Sequence, residues 1–311
     1  MGYQCIIKSS SEKSNYRFFL FSSTESGKTA LYKRSLLLFF MVMEKKGRVM
    51  AAHQPNFLPY LGFFDKMMQS DVFVIRDECQ FSEKEYHHRN KIRIDGKRKT
   101  GKDIGGPNWD WLTVPIPHHE IDLKDILIKN EAKDDKGPWN IAMATKIRIN
   151  YEKTPFFKQY FPGIEKALLT KREMFVDLST DVISCLKEAF GLKAKIVMAS
   201  KLPGYQKSGN PVQDLANLSK IVEADVYLSG AGGKNYFKKY PTAAGLFEEY
   251  GIEVRFQDYQ HPVYPQRYWG FAPCMAAIDA LFNVGPEILK IGSNKEDDKE
   301  ESKIELQMQQ A

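Results

Sequence analysis

The sequence predicts an α/β fold: an open, mainly parallel β-sheet flanked by helices, with a helix-rich middle segment. Three observations predict it. Short apolar, β-branched runs alternate with longer helical patterns, the mark of an open α/β sheet. Near the start, a strand, a wholly apolar helix and a continuous apolar strand follow within one short unit, which argues for βαβ with parallel strands. Chemically capable residues then fall just past strand ends, where open sheets carry their ligands.

The elements follow in order. A strand is predicted over Arg48 to Ala52, then a loop, Gln54-Pro55-Asn56. A helix is predicted from Phe57 or Pro59 to Gln69, with Pro59 in its first turn and Asn56 as a possible cap. Leu58, Leu61, Phe63, Phe64, Met67 and Met68 make it apolar nearly all round, so it is expected to be buried. Ser70-Asp71 turns into the apolar strand Val72-Phe73-Val74-Ile75. Trp111 to Ile116 reads as a strand, followed by helical patterns at 139–151, 155–169 and 173–190. Lys195 to Ala199 reads as a strand, Val212 to Glu223 as a helix, and Val226-Tyr227-Leu228 as a strand running straight into glycines. Ala243 to Tyr250 reads as a helix, Ile252 to Phe256 as a strand, and Pro273 to Phe282 as a buried helix.

This domain is assigned to residues 47–292. Residues 1–46 lack any sustained period and read as an extension or a mis-assigned start, with Met43 or Met41 as the expected true start. Residues 293–311 read as a charged tail, and Asp95 to Asn108 as a long mobile loop.

Composition narrows the partners. The 311 residues, 43% of them hydrophobic, suffice to bury a full core. The net charge of +6 comes from 45 basic residues interspersed with 39 acidic ones. That favours an anionic small molecule, such as a nucleotide-sugar or another phosphorylated compound, over nucleic acid. The longest apolar run, Leu36 to Met43, is about half of what a membrane helix needs, so no membrane span is expected. Cys5, Cys79, Cys185 and Cys274 lie far apart and form no CxxC, which points to free thiols in a reducing, cytoplasmic compartment. Cys79 lies near Asp77 and His87, but a small buried hydrophobe is the favoured reading over a nucleophile.

Four strand ends carry candidate site residues. His53 ends the first strand and can act as a base near neutral pH, or simply hold its own loop. Gln54 and Asn56 follow it as candidate ligand contacts. Asp77 and Glu78 end the second strand; Asp77 is the candidate to orient an imidazole or assist Mg²⁺, against a turn-capping role. Ser229, Gly230, Gly232, Gly233 and Lys234 form a candidate anion cradle, against a tight turn with no ligand. It is neither a P-loop nor GxGxxG, since Leu228 and Asn235 stand where the P-loop needs Gly and Ser or Thr. His261, Tyr264 and Gln266 lie on a proline-stiffened loop that suits substrate recognition or a purely structural role. Arg89, Asn90 and Lys91 suit phosphate or carboxylate binding, against a solvated basic face. The adjacent His87 and His88 point different ways, and no metal site is expected from them.

Several of these blocks together resemble a known family. The run from His53-Gln54-Pro55-Asn56 through Pro59-Tyr60-Leu61-Gly62-Phe63-Phe64 looks like the opening signature of the WbqC-like family. Gln80-Phe81, Arg89-Asn90-Lys91-Ile92, Trp111-Leu112-Thr113-Val114-Pro115, Tyr227-Leu228-Ser229-Gly230, His261-Pro262-Val263-Tyr264-Pro265-Gln266 and Phe282-Asn283 follow in the family's order, covering about Arg48 to Gly292. Glu78 and Cys79 depart from the family's usual Asp and Val, His88 from its usual Asn, and the loop from Asp95 is longer. The resemblance implies work in O-antigen and other surface polysaccharide synthesis, with transfer of an amino acid (glycine) to a sugar as the suggested activity.

The expectation is therefore a transferase acting on a nucleotide- or lipid-linked sugar. The glycine loop with Lys234, and Arg89 with Lys91, would hold phosphates; His53 or His261 would be the base, and Asp77 would orient it. A nucleotidyl-transferring or adenylating enzyme is the alternative, since strand, histidine loop, buried helix and strand is the outline of the paired-histidine nucleotidyltransferases. The second histidine of that pair is missing, because Asn56 stands there. A non-catalytic binding protein of the same assembly pathway is the third reading. Any cofactor beyond Mg²⁺, and the oligomeric state, stay open.

Overall fold

The computed structural model describes residues 47–83, 85–95, 107–117, 121–134 and 137–291. The expectations for the N-terminal segment, the charged tail and most of the loop after Asp95 lie outside the described residues.

In chain order the elements are β1 (Val49–His53), α1 (Leu61–Met68), β2 (Val72–Ile75), the hairpin β3 (Arg89–Arg93) and β4 (Trp109–Thr113), and the two-residue strands β5 (Lys133–Asp134) and β6 (Gly137–Pro138). The helical run α2 (Trp139–Tyr151), α3 (Phe157–Leu169) and α4 (Phe175–Ala189) follows, then β7 (Lys195–Met198) and α5 (Pro211–Ile221). The chain continues through β8 (Val226–Ser229), α6 (Gly233–Lys239), α7 (Pro241–Glu249), β9 (Glu253–Phe256), α8 (Ala277–Val284) and α9 (Ile288–Ile291).

The five main strands are all parallel, in the order β7-β2-β1-β8-β9. Alternate side chains of each strand face opposite sides. Ala51, Phe73 and Leu228 join α1, the α2–α4 run and α8 in one core. Met50, Ala52, Val74 and Tyr227 join α5 and α7 in the other. Both faces are thus covered, which is why β2 can be apolar without a break. Helix α1 is buried as its composition predicts: Leu61, Phe63, Phe64 and Met67 are each exposed by 1% or less. Burial of such side chains contributes roughly 1.5–3 kcal/mol apiece.

The strand order has one consequence for ligands. The chain moves outward from β1 through β2 to β7, with helices on one face. It then returns to the centre and moves the other way through β8 and β9, with helices on the other face. The direction of winding reverses between β1 and β8, the position at which doubly wound sheets bind ligands.

Four local expectations are corrected. Helix α1 begins at Leu61, because Leu58 has φ 47° and keeps the preceding loop out of the helix. Asn56 is therefore no cap; the residue before the helix is Tyr60, which makes no side-chain cap bond. The strand expected from Trp111 is Trp109–Thr113, and it pairs antiparallel with β3. The final buried helix starts at Ala277, after Cys274 at φ 55°.

Candidate functional site

At the reversal point the sheet opens. Pairing of β1 with β2 continues to His53↔Ile75, whereas pairing with β8 stops at Ala51↔Leu228. The His53 carbonyl accepts from the Arg76 N–H on the β2 side. Carbonyls of successive strand residues point opposite ways, so that of Ala52 faces the gap toward β8. It is met there by the Lys66 side chain, whose Nζ donates to it at 2.8 Å. Lys66 descends from α1, is 5% exposed and forms no ion pair among the described residues. A Cβ on Gly230 would stand 3.9 Å from its Nζ, so the amine also abuts the glycine loop. Burial lowers its pKa from 10.5 to about 7.

His53 stands edge-on to Phe63, with ring centroids 4.9 Å apart. Its Nδ1 lies 3.0 Å from the Gln54 carbonyl, which can only accept, so Nδ1 carries the proton and Nε2 a lone pair. Burial, and secondarily the neighbouring charge of Lys66, lower its pKa to about 3. The ring is therefore neutral at physiological pH, and a poor base.

Gln54 is locked in place. The Ser82 N–H donates to His87 Nδ1, so His87 Nε2 carries the proton and donates to Gln54 Oε1 at 2.9 Å. Burial lowers the His87 pKa to about 4, which keeps this tautomer neutral. The other end of the Gln54 amide bonds the Cys79 thiol, whose pKa burial nonetheless raises. Cys79 is accordingly a protonated packing residue and not a nucleophile. The Asn56 side-chain oxygen is buried in the same loop without a hydrogen-bond partner among the described residues.

On the β8 side, Ser229 is 2% exposed and donates to the Gly230 carbonyl at 3.3 Å. A Cβ on Gly233 would fall 2.0 Å from Ser229 Oγ, so only glycine fits there. Gly232 faces open space, and Lys234 is exposed with its Nζ 5.5 Å from the Phe256 ring centroid.

The remaining expected site residues are occupied elsewhere. The Asp77 carboxylate accepts from the Ser200 N–H at 3.0 Å and from its hydroxyl. It ties β2 to the turn after β7 and orients no histidine. Glu78 bonds Arg76 and Tyr205, and Arg76 reaches Asp214 at 3.3 Å, a buried polar cluster beside it. His261 spends both nitrogens: Nε2 accepts from the Cys274 N–H, leaving Nδ1–H for the Tyr259 hydroxyl at 2.9 Å. It has no lone pair left for a base. Tyr264 and Gln266 both donate to Asp279, at 2.8 and 2.7 Å, beside a third donor, Tyr151. They serve the core, because a buried carboxylate needs such donors. Asn90 bridges the Leu58 carbonyl and the Lys91 N–H. Arg89 and Lys91 lie over Trp111 and Trp109, at 4.6 and 5.1 Å, on the hairpin face. That hairpin is pinned to the β1 loop by the Phe57 N–H to His87 carbonyl bond of 2.7 Å.

His53, Gln54, Ser229, Gly230 and Lys66 are thus brought together. Asp77, His261, Tyr264 and Gln266 are not free to join them. Among the described residues no group of three or more His, Cys, Asp or Glu could hold a metal ion. A surface hollow lined by Asn130, Trp139, Asn140 and Arg172 belongs to the helical layer and contains none of the strand-end residues.

The model of the WbqC-like protein family matches residues 54–291, from the Gln54 loop through α9. The chain belongs to the WbqC-like family. An uncharacterized protein of Mycobacterium tuberculosis is 25% identical over 241 residues, covering 75% of this chain and 93% of that relative. No solved structure matches significantly. The matched residues include the Gln54 loop, α1, the glycine loop and the hairpin, and begin one residue after β1 ends. No helix among the described residues of this WbqC-like chain is long and apolar enough to cross a membrane.

Proposed function

We propose that this WbqC-like protein is a cytoplasmic transferase that modifies a nucleotide- or lipid-linked sugar in surface polysaccharide synthesis, with aminoacyl (glycine) transfer as the specific chemistry. The observation that carries the reading is the crevice between β1 and β8, with the His53 loop on one side and the glycine loop on the other. Backbone N–H groups of Gly230, Ala231 and Gly232 suit a phosphate or a developing oxyanion, while the Gly233 N–H is held by the Gly230 carbonyl. The Lys66 amine stands beside that loop, with its Nζ 3.9 Å from where a Cβ on Gly230 would lie. The His53 Nε2 lone pair is open to a donor on the substrate, such as a sugar hydroxyl or amine.

Thermal-shift and native mass spectrometry with UDP- and dTDP-sugars, ATP, and glycine, with and without Mg²⁺, test this. A sugar nucleotide should stabilise the protein, and His53→Ala should abolish that response. Stabilisation by none of the sugar nucleotides would defeat the reading.

A second reading, adenylation, is favoured by one observation: His53 ends the central strand at the winding reversal, followed by a buried helix. ATP–pyrophosphate exchange dependent on glycine would select it over sugar modification.

A further inference from the structure

We propose that Lys66 is the general base of the crevice, its uncharged amine taking the proton from the sugar hydroxyl or amine as that group attacks the donor. The reaction assigned rests on the proposed transferase reading; the uncharged state of the amine rests on its burial and on its contacts.

An ammonium carries three N–H donors. Nζ has one acceptor among the described residues, the Ala52 carbonyl. Three other neighbours face it: His53 from β1, the Phe73 ring of β2 with its centroid 6.0 Å from Nζ, and the Gly230 backbone after β8. Asp65, next to it on α1, turns instead to Gln257 and Gln69. No anion among the described residues faces the amine, and a buried ammonium without one is costly, so burial favours the free amine. It keeps a lone pair at the mouth of the gap between β1 and β8. Of the two nitrogen bases there, His53 at about 3 is too weak to hold a proton, whereas Lys66 at about 7 is matched to neutral pH.

The step balances as follows for an acyl donor activated on a phosphate. The acceptor O–H or N–H bond breaks and its proton moves to Nζ. The freed electron pair forms the bond to the acyl carbon, and the phosphate departs with the electrons of the broken C–O bond. The ammonium left at Nζ then faces the glycine loop, where the departing negative charge compensates it.

The test begins with the full-length protein carrying ¹⁵N,¹³C-lysine. One lysine side-chain signal, absent in Lys66→Met, should titrate with a midpoint near 7. A midpoint near that of solvated lysine, about 10.4, overturns the proposal. Lys66→Met and Lys66→Arg should keep the thermal shift given by the sugar nucleotide yet lose turnover by roughly 100-fold or more. Wild-type kcat/KM should fall tenfold per pH unit below about 7. Turnover by Lys66→Arg at the wild-type level, or loss of ligand binding in both variants with the fold intact, overturns the base assignment. Failure of every sugar nucleotide to bind the wild type would instead remove the transferase reading and leave the titration standing.

Discussion

Lys66 bears a stability cost that can be measured without knowing any substrate. Its folded-state pKa lies below its unfolded value, so the unfolded chain holds the proton more tightly. The cost is fully present below about 7 and is relieved as pH rises from about 7 to 10.5. Lys66→Met should therefore stabilise the fold at pH 7 by about 4 kcal/mol, given about 1.4 kcal/mol per pKa unit between about 7 and 10.5. The advantage over wild type should vanish by about pH 10.5 in urea titrations. His53 makes the same kind of statement at lower pH. Its ring should stay neutral down to about pH 4, visible as unchanged ring shifts in NMR, because burial takes its pKa to about 3. Gly233→Ala should displace the Ser229 loop, since a Cβ would fall 2.0 Å from Ser229 Oγ. The expected result is at least tenfold weaker sugar-nucleotide binding by calorimetry. These residues differ in how far the sequence disclosed them. His53 and the glycines announce themselves by standing at strand ends. Lys66 is a single cation in a helix otherwise apolar nearly all round, a signal present in the sequence but without meaning until β1 and β8 part above it.

Most of the helices and parallel strands were legible in the sequence. The three helices between β4 and β7 and the parallel strands fall where the apolar pattern puts them. The β3–β4 hairpin was half visible, because Arg89 and Lys91 read as a basic face and only their rings on β4 explain the pairing. The loop carrying His261, Tyr264 and Gln266 was misread for a physical reason. Sequence shows that it offers donors but not who takes them, and Asp279 lies in a helix further along. Asp279→Ala should cost about 2–4 kcal/mol, because it leaves the Tyr151 and Tyr264 hydroxyls without their acceptor in the core, while Gln266 keeps the Ala272 backbone. Tyr264→Phe should lower the melting temperature and leave the ligand-induced thermal shift unchanged; loss of that shift would return Tyr264 to the site.

For the molecule as a whole, two cores meet at one sheet, and β1 is the strand paired on both sides at its centre. Its amides, with those of β2, should exchange most slowly with deuterated solvent. Those of α6, which buries no residue, should exchange fastest among the helices. Uniform exchange across β1 and α6 would contradict the two-core account. The winding order itself was beyond the sequence, since nothing local distinguishes a strand added on the left of β1 from one added on the right.

The reach of Lys66 from α1 into the gap couples two things usually separable. The helix that sets the height of its amine is wedged by Phe63 against Phe73, and by Phe64 against Phe190 at 5.3 Å between centroids. A lever fixed in tightly packed material transmits small shifts of its fulcrum to its tip. Conservative trimming of Phe190 should then detune the proposed chemistry more steeply than it loosens the protein. On the proposed transferase reading, selection for activity would act on the interior of this chain as much as on the crevice.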